Sequence, residues 1–180
     1  EVEVLGLDPE TDLQELKGKI GVQLQSPSLF PRLTVREILK LFASFYSDPL
    51  MVEDVMGRVG LKSKETDKIK SLSGGQQHRL AVGLAMISNG DLIFLDEPTT
   101  GLDPQARRQL WQVIRDLKQE GKTIFLTTHY MDEAQELCDD LIIIDQGQII
   151  ASDSPSNLIE TYFKEEAVEF SDPGLTDIEK

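Results

Sequence analysis

Four polar side chains stand at the ends of three apolar segments, where they could do chemistry together. The segment IGVQLQ ends at Gln25, and the segment TIFLTTH ends at His129. Between them in the chain, LIFLDE ends in two adjacent carboxylates, Asp96 and Glu97. Ligands of open α/β sheets bind at the carboxyl ends of the strands. If these segments are neighbouring strands, the four side chains form a nucleotide and metal site with a candidate general base.

Each of these side chains also has a simpler explanation when it is taken alone. Polar residues often end strands because the chain reaches the surface there, and this explains Gln25 equally well. A lone histidine such as His129 is more often a hydrogen-bonded core residue than a ligand. The pair of Asp96 and Glu97 is harder to explain, because adjacent carboxylates repel each other unless a cation or a raised pKa relieves them. The four together favour a shared site.

The stretch SLSGGQQHRLAVGLAM, residues 71–86, is predicted to be a helix although two glycines stand in its first turn. Ser73 and Gln76 form an S-x-x-Q capping box, which explains those two residues. Gly74 and Gly75 need another reason, since glycine inside a helix costs roughly 1 kcal/mol against alanine. Without a Cβ, the N–H groups at a helix start let a phosphate approach closely. The stretch therefore predicts an anion site.

The other segments predict strands that alternate with helices. A T-x-x-E capping box at Thr34 opens one helix, and Asp103-Pro104 opens another. EVEVLGL is predicted to be a first strand, and LIIIDQGQIIAS is predicted to be two strands around a tight turn. We therefore expect an α/β fold whose mostly parallel sheet is covered by helices on both faces.

The composition excludes some classes of function. The chain has 180 residues, a net charge of -14 and one cysteine. The charge argues against a broad nucleic-acid surface, which needs a basic patch. No apolar run is long enough to span a bilayer. The chain starts at Glu1 rather than at a methionine, which suggests a fragment or a processed product.

Five motifs in a fixed order resemble those of the ABC ATPase family. LSGGQ (residues 72–76) resembles the family's signature, LIFLDEP (92–98) its Walker B motif, TTGLD (99–103) its D-loop and TTH (127–129) its switch histidine. Gln25 stands where the Q-loop glutamine belongs, and the match covers residues 1 to about 163. One motif alone is weak, whereas the ordered set is specific. The segment THYMDEAQELCDDLIIIDQGQII (residues 128–150) further resembles ATPases of drug, polysaccharide or ion exporters.

The resemblance implies a P-loop NTPase-like (RecA-like) fold, a mostly parallel sheet with an inserted helical subdomain. The expected parts are a β-subdomain remnant and core strand (1–25), a helical subdomain (26–88), a catalytic core (89–163) and an acidic tail (164–180).

The resemblance also implies a role for each matched residue, with ATP and Mg²⁺ as the cofactors. Asp96 and Gln25 would hold the metal, and Gln25 would link it to a membrane partner. Glu97 would polarise the attacking water as general base, while His129 would sense the γ-phosphate. The other residues implied in ATP binding belong to the signature and the D-loop, and the ATP that they would contact is held by the opposite subunit. They are Ser73, Gly74, Gly75, Gln76 and Asp103. Asp103 is also a good helix cap in its own right.

One family motif is missing from the sequence. No G-x-x-x-x-G-K-[ST] loop occurs, and Gly121-Lys122-Thr123 does not qualify, because Asp116 stands at the first glycine position and a strand follows. The resemblance places the loop shortly before Glu1. We therefore expect an N-terminally truncated ATP-binding subunit that is inactive alone and exposes apolar surface where the first core strand and its helix belong.

The expected partners are a transmembrane permease and a second ATP-binding subunit, identical or different, at the cytoplasmic face of the membrane. Residues 26–71 would present SPSLFPRLTVREIL to the permease. Two alternatives remain open. One is a soluble ABC-type ATPase that acts on nucleic acid or ribosomes, and the other is a non-catalytic regulatory cassette. The net charge disfavours the first, and no nucleic-acid partner is expected.

Overall fold

A computed structural model of the chain describes residues 2–25 and 29–162. The chain divides into two compact units, Glu1–Leu137 and Cys138–Lys180, and every candidate site residue belongs to the first. The expected acidic tail from residue 164 onward lies outside the described residues, as do residues 26–28 of the segment expected to face a permease.

The first unit combines helices with a small sheet. Its described helices are α1 (Leu13–Lys19), α2 (Val35–Ala43), α3 (Val52–Arg58), α4 (Gly74–Met86), α5 (Pro104–Gln119) and α6 (Met131–Leu137). Single 3₁₀ turns occur at Lys62–Lys64 and Ile69–Ser71. Its described strands are β1 (Ile20–Gln23), β2 (Leu92–Asp96) and β3 (Thr123–Thr127).

The three strands form a parallel sheet in the order β1-β2-β3. Gln23 is opposite Leu95, and Asp96 is opposite Thr127. The carboxyl ends of the strands therefore meet at one edge, as the sequence predicts. The prediction of an α/β fold with a parallel sheet is confirmed.

Helix α4 packs closely against one face of this sheet. Ile93 and Leu95 of β2 are buried on that face. Gly21 of β1 makes the close approach possible, because a Cβ at that position would lie 2.1 Å from the carbonyl oxygen of Ala85. The helix and the sheet thus form one continuous core that fixes the position of the signature helix relative to the strand ends.

The other face of the sheet is exposed in the described part of the chain. Val22 is 50% exposed, Leu24 64% and Phe125 56%. The prediction that helices cover both faces is therefore wrong for these residues. The exposed side chains agree with the expectation of uncovered apolar surface. Alternation along each strand explains the difference, since every second side chain points away from α4.

The helical part of the first unit has its own buried side chains. Helices α2 and α4 each begin with a complete capping box, at Thr34 with Glu37 and at Ser73 with Gln76, as predicted. Helices α2, α3 and α4 then bury a common cluster that includes Ile38, Leu39, Val55, Met56 and Leu80.

The first residues of the chain differ from the prediction. The predicted strand over residues 1–7 is absent from the described residues 2–7, where only a bridge between Val4 and Leu7 is formed. Leu5 and Gly6 have φ angles of 53° and 75°, which turn the chain back on itself. Helix α1, which follows, is not among the predicted elements; the side chain of its N-cap residue Asp12 makes no capping hydrogen bond.

The second unit contains a β-hairpin and a helix. Strands β4 (Leu141–Asp145) and β5 (Gln148–Asp153) pair antiparallel, and α7 (Pro155–Tyr162) follows. The two turn residues, Gln146 and Gly147, have φ angles of 47° and 76°, as a type I′ hairpin turn requires. The predicted pair of strands is confirmed.

Candidate active site

Glu97 occupies an unusual backbone conformation directly after β2. Its φ angle is 45°, in the left-handed region that costs a non-glycine residue about 1–3 kcal/mol. The Glu97 N–H donates to the carbonyl oxygen of Thr127, at 3.1 Å, and to the hydroxyl of the same residue, also at 3.1 Å. The end of β3 therefore holds this residue in a conformation that it would not adopt freely.

Two other predicted side chains converge on the Glu97 carboxylate. Gln25 donates from Nε2 to Oε2 of Glu97 at 2.8 Å. Nδ1 of His129 lies 3.3 Å from Oε1 of Glu97. The structure thus brings together one side chain from the end of each strand, and the convergence expected from the sequence is present in the geometry.

Asp96 adjoins this cluster through a threonine. The hydroxyl of Thr127 donates to Oδ1 of Asp96 at 2.6 Å and accepts the N–H of Glu97. One hydroxyl therefore joins the two consecutive acidic residues. The register of the sheet produces this contact, because Asp96 and Thr127 are partners across β2 and β3.

The pKa of Glu97 is lowered rather than raised. The first cause is the Thr100 hydroxyl, which donates to Oε2 at 2.9 Å, and the donors Gln25 and His129 add to it. Hydrogen bonds to the ionised form outweigh desolvation, which acts in the opposite direction. The sequence suggests that a cation or a raised pKa relieves the repulsion between Asp96 and Glu97. The prediction of a raised pKa is therefore wrong for Glu97.

The residues present fit a magnesium ion. Asp96 and Gln25 are both exposed, and neither Oδ2 of Asp96 nor Oε1 of Gln25 accepts a hydrogen bond from the described residues. These are hard oxygen donors of the kind that Mg²⁺ takes. No group of three or more His, Cys, Asp or Glu side chains in the described part could hold a metal. The donor set suits an ion that completes its shell with phosphate and water.

The signature residues line a separate groove. Its volume is about 420 Å³, and its walls come from the start of α4 and the start of α5. The predicted residues Ser73, Gly74, Gly75, Gln76 and Asp103 all contribute to it. None of them makes a hydrogen bond to the Glu97 cluster among the described residues. The predicted site therefore consists of two parts.

The two glycines at the start of α4 differ in their surroundings. A Cβ on Gly74 would meet nothing within 4 Å, so this position faces open space. A Cβ on Gly75 would lie 3.4 Å from the Cβ of Ala106 on α5. Folding alone thus does not require glycine at position 74, which leaves its bare backbone free to receive a ligand.

Asp103 acts as the N-cap of α5. Its Oδ1 accepts the N–H groups of Gln105 and Ala106, both at 2.9 Å. The structure therefore shows that Asp103 caps α5, as the sequence suggests. Asp103 also lines the groove at the start of α4.

Sequence reasoning missed two members of the Glu97 cluster, Thr100 and Thr127. Both belong to motifs that the sequence shows, but their hydrogen bonds depend on the turn after β2 and on the register of β3. A threonine at the end of β3, in register with the acidic residue at the end of β2, is the signal that could have identified Thr127.

A family model described as "ABC transporter" matches residues 1–100. No described helix is long and apolar enough to cross a membrane.

Curated relatives carry the name Nod factor export ATP-binding protein I. The protein from Burkholderia thailandensis is 41% identical over 160 residues, which are 86% of this chain and 53% of the relative. The protein from Rhizobium etli is 39% identical over 173 residues, which are 93% of this chain and 55% of the relative. The chain therefore spans about half the length of these relatives.

Solved structures share the fold. An ATP-binding subunit of an ABC transporter superposes with a TM-score of 0.77 at 22% identity, covering 89% of this chain and 69% of the other. A second structure, cbiO1 from Clostridium perfringens, described as part of the complex cbiONQ, gives a TM-score of 0.71 at 25% identity. It covers 82% of this chain and 62% of the other.

Proposed function

Because this chain belongs to the ABC transporter family, we propose that it forms the ATP-hydrolysing part of a membrane exporter. The observation that carries the proposal is the Glu97 carboxylate, on which Gln25, Thr100 and His129 converge. Relatives named for export, at 39–41% identity, support the direction of transport.

The proposed reaction is in-line transfer of the γ-phosphoryl group of ATP to water. The water oxygen bonds to the γ-phosphorus, and the bond to the β–γ bridging oxygen breaks as ADP leaves. Glu97 would orient and polarise this water and accept its proton. A lowered pKa keeps the carboxylate ionised at neutral pH, so it is ready to accept a hydrogen bond from water.

Asp96 and Gln25 would hold the magnesium ion that accompanies ATP. When bound, this ion supplies charge neutralisation at the phosphates. Thr127 fixes Oδ1 of Asp96, which leaves the other oxygen for the metal. His129, with a side chain that is 50% exposed, would donate a hydrogen bond to the γ-phosphate.

The groove at the start of α4 would receive ATP held by a second ATP-binding subunit. Ser73, Gly74 and Gly75 offer a hydroxyl and open backbone N–H groups there. Asp103 and Gln76 lie in the same wall and would contact the second subunit or its nucleotide. The second subunit can be identical or different under this proposal.

Each range of the chain has a place in the proposed subunit. Residues 26–88 act as the helical subdomain, of which residues 26–71 meet a transmembrane permease, and residues 89–163 act as the catalytic core. Residues 1–25 supply a strand and the Q-loop, and residues 164–180 form an acidic tail. Such a subunit works at the cytoplasmic face of the membrane.

The 180-residue chain alone is proposed to lack ATPase activity. It contains no G-x-x-x-x-G-K-[ST] loop to hold the β- and γ-phosphates. We expect no ATPase activity and no tight magnesium-ATP binding from the purified chain, measured by phosphate release and calorimetry. Micromolar binding of magnesium-ATP would contradict this.

The decisive experiment uses a full-length protein in which the reading frame upstream of Glu1 supplies a phosphate-binding loop. Glu97→Gln keeps the shape and the hydrogen-bond acceptor of the side chain but removes its negative charge. We expect kcat for ATP to fall at least about 100-fold, with ATP-bound dimers accumulating on size exclusion. Glu120→Gln is the matched control, because Glu120 is exposed and pairs only with Arg58 in the described structure.

The outcomes separate the proposed function from its alternatives. A non-catalytic cassette predicts that Glu97→Gln changes nothing. A soluble ATPase that acts on nucleic acid predicts that DNA or RNA, rather than a membrane partner, stimulates the rate. Loss of hydrolysis in Glu97→Gln with activity retained in Glu120→Gln supports the catalytic role of Glu97, and stimulation of the rate by a membrane partner supports the exporter proposal.

A further inference from the structure

The imidazole of His129 contacts the side chains of Glu97 and Tyr130. Oε1 of Glu97 lies 3.3 Å from Nδ1. The ring of Tyr130 has its centroid 4.1 Å from the imidazole centroid, with the two planes inclined by 39°. Since half of the His129 side chain is exposed, general packing does little to restrict it. The ring of Tyr130 is therefore a main restraint on where the imidazole lies.

Tyr130 is itself fixed at both its backbone and its ring. Its N–H donates to the hydroxyl of Thr128 at 3.0 Å, just before α6. Cζ of Arg107 lies 4.3 Å from the centroid of the Tyr130 ring, which is the geometry of a cation–π contact. Arg107 thus contacts the ring of Tyr130, and that ring is tilted against the imidazole of His129; we call this series of three groups the Arg107 stack.

Arg107 depends on this ring contact more than on an ion pair. The Arg107 side chain is only 21% exposed, and its Nε is buried with no hydrogen-bond partner. Its only carboxylate partner in the described part is Asp132, at 3.3 Å, whose side chain is 60% exposed. An ion pair of this length whose carboxylate is largely solvated contributes little. The flat face of Tyr130 is therefore the contact that the guanidinium makes in place of a good acceptor.

The first turn of α5 connects the Arg107 stack to the signature groove. The N–H of Arg107 donates to the carbonyl oxygen of Asp103 at 3.0 Å. Asp103 caps the same helix and lines the groove. One rigid turn thus joins the groove wall to the side chain that stacks on Tyr130.

We propose that Arg107 and Tyr130 are positioning residues that hold the His129 imidazole beside Glu97 and tie it to the start of α5. This inference rests on the proposed function, because it concerns the placement of a side chain for ATP hydrolysis. Neither residue touches the reacting atoms. Their effect is on the fraction of time that His129 spends in its productive position.

The test measures kcat, KM and the melting temperature in a full-length protein that carries a phosphate-binding loop. Tyr130→Leu keeps an apolar side chain but removes the ring. We expect kcat to fall about tenfold because a poorly placed group costs rate, with KM within twofold of the wild-type value and no change in melting temperature. Tyr130→Phe restores the ring without the hydroxyl, and we expect it to recover most of kcat.

A second pair of variants tests the other end of the Arg107 stack. Arg107→Gln removes the cation, and we expect it to lower kcat about fivefold at constant KM, in the range of a lost positioning contact. Arg108→Gln is the matched control, because Arg108 is exposed and forms no ion pair within the described residues. We expect Arg108→Gln to keep the wild-type kcat.

Each other outcome overturns the inference. An active wild type whose kcat is unchanged by both Tyr130→Leu and Arg107→Gln rules out the positioning role while the proposed function stands. A loss of kcat in Tyr130→Leu that Tyr130→Phe fails to recover, or that comes with a lower melting temperature and higher KM, also rules it out. A wild type without ATPase activity overturns the proposed function and this inference with it.

Discussion

At the scale of single residues, Glu97 shows how a turn and a neighbouring strand create a chemical property. Its left-handed backbone is held by Thr127, and its carboxylate accepts hydrogen bonds from Thr100 and Gln25. The strained conformation and the lowered pKa are linked, because the turn that strains the backbone also brings Thr100, the first donor, to the carboxylate. Strain stored at such a position is typical of functional sites.

Thr100→Val tests the cause of the lowered pKa. Removing the first-named donor raises the pKa of Glu97 toward its ordinary value. A carboxylate with a lowered pKa contributes stability above its unfolded pKa and loses that contribution as the pH falls through its folded pKa. We therefore expect the acidic limb of kcat/KM and the acid unfolding midpoint to move to higher pH. At neutral pH the rate changes little, since Glu97 stays ionised.

The control for this prediction is Thr123→Val. Thr123 is exposed at the start of β3, and its hydroxyl makes no hydrogen bond in the described residues. The same substitution there leaves the acidic limb in place. An unchanged acidic limb in Thr100→Val would show that the threonine hydroxyl does not control the ionisation of Glu97.

At the scale of elements, helix starts are predicted better from sequence than are strand partners. The capping boxes at Thr34 and Ser73 are readable because their hydrogen bonds join residues three apart. The role of the Thr127 hydroxyl is not readable in the same way, since its partners lie 30 and 31 residues away. Helix α1 is not among the predicted elements, and it starts without a side-chain cap.

The candidate site shows the same difference between features readable from short sequence patterns and contacts between distant elements. The strand ends and the order of motifs were sufficient to bring Gln25, Glu97 and His129 together. The stacking of Arg107 on Tyr130 depends on how α5 lies beside the residues before α6, and no short-range pattern in the sequence encodes that. Local hydrogen bonds and strand alternation can be predicted, whereas contacts between elements must be seen.

The two capping boxes allow a matched comparison between folding and function. Ser73→Ala and Thr34→Ala each remove a hydroxyl that accepts an N–H three residues later. We expect each to cost about 1 kcal/mol of folding free energy, measured by chemical denaturation of the full-length protein. Only Ser73→Ala should also lower ATPase activity, because Ser73 lines the signature groove. Equal loss of activity in both variants would indicate that the Ser73 hydroxyl serves only the helix.

At the scale of the whole molecule, one apolar face of the β1-β2-β3 sheet is not covered by another element in the described part of the chain. Val22, Leu24 and Phe125 share this face, and Phe125 contacts Phe94 with ring centroids 5.5 Å apart. The face lies between β1 and β3, which are the edge strands of the sheet in the described part of the chain. Contiguous apolar surface beside open strand edges favours association between copies.

Phe125→Thr tests whether this face controls the solubility of the purified 180-residue chain. Threonine is β-branched and therefore suits a strand, while the substitution removes the aromatic ring from the surface. We expect weaker binding of a hydrophobic dye and less self-association in sedimentation velocity, with little change in stability, since Phe125 is already half exposed. Phe45→Thr is the control, because Phe45 is 68% exposed but follows α2 rather than lying on the sheet. If both variants reduce self-association equally, exposed aromatic area in general drives it; if only Phe125→Thr does, the open face of the sheet is responsible.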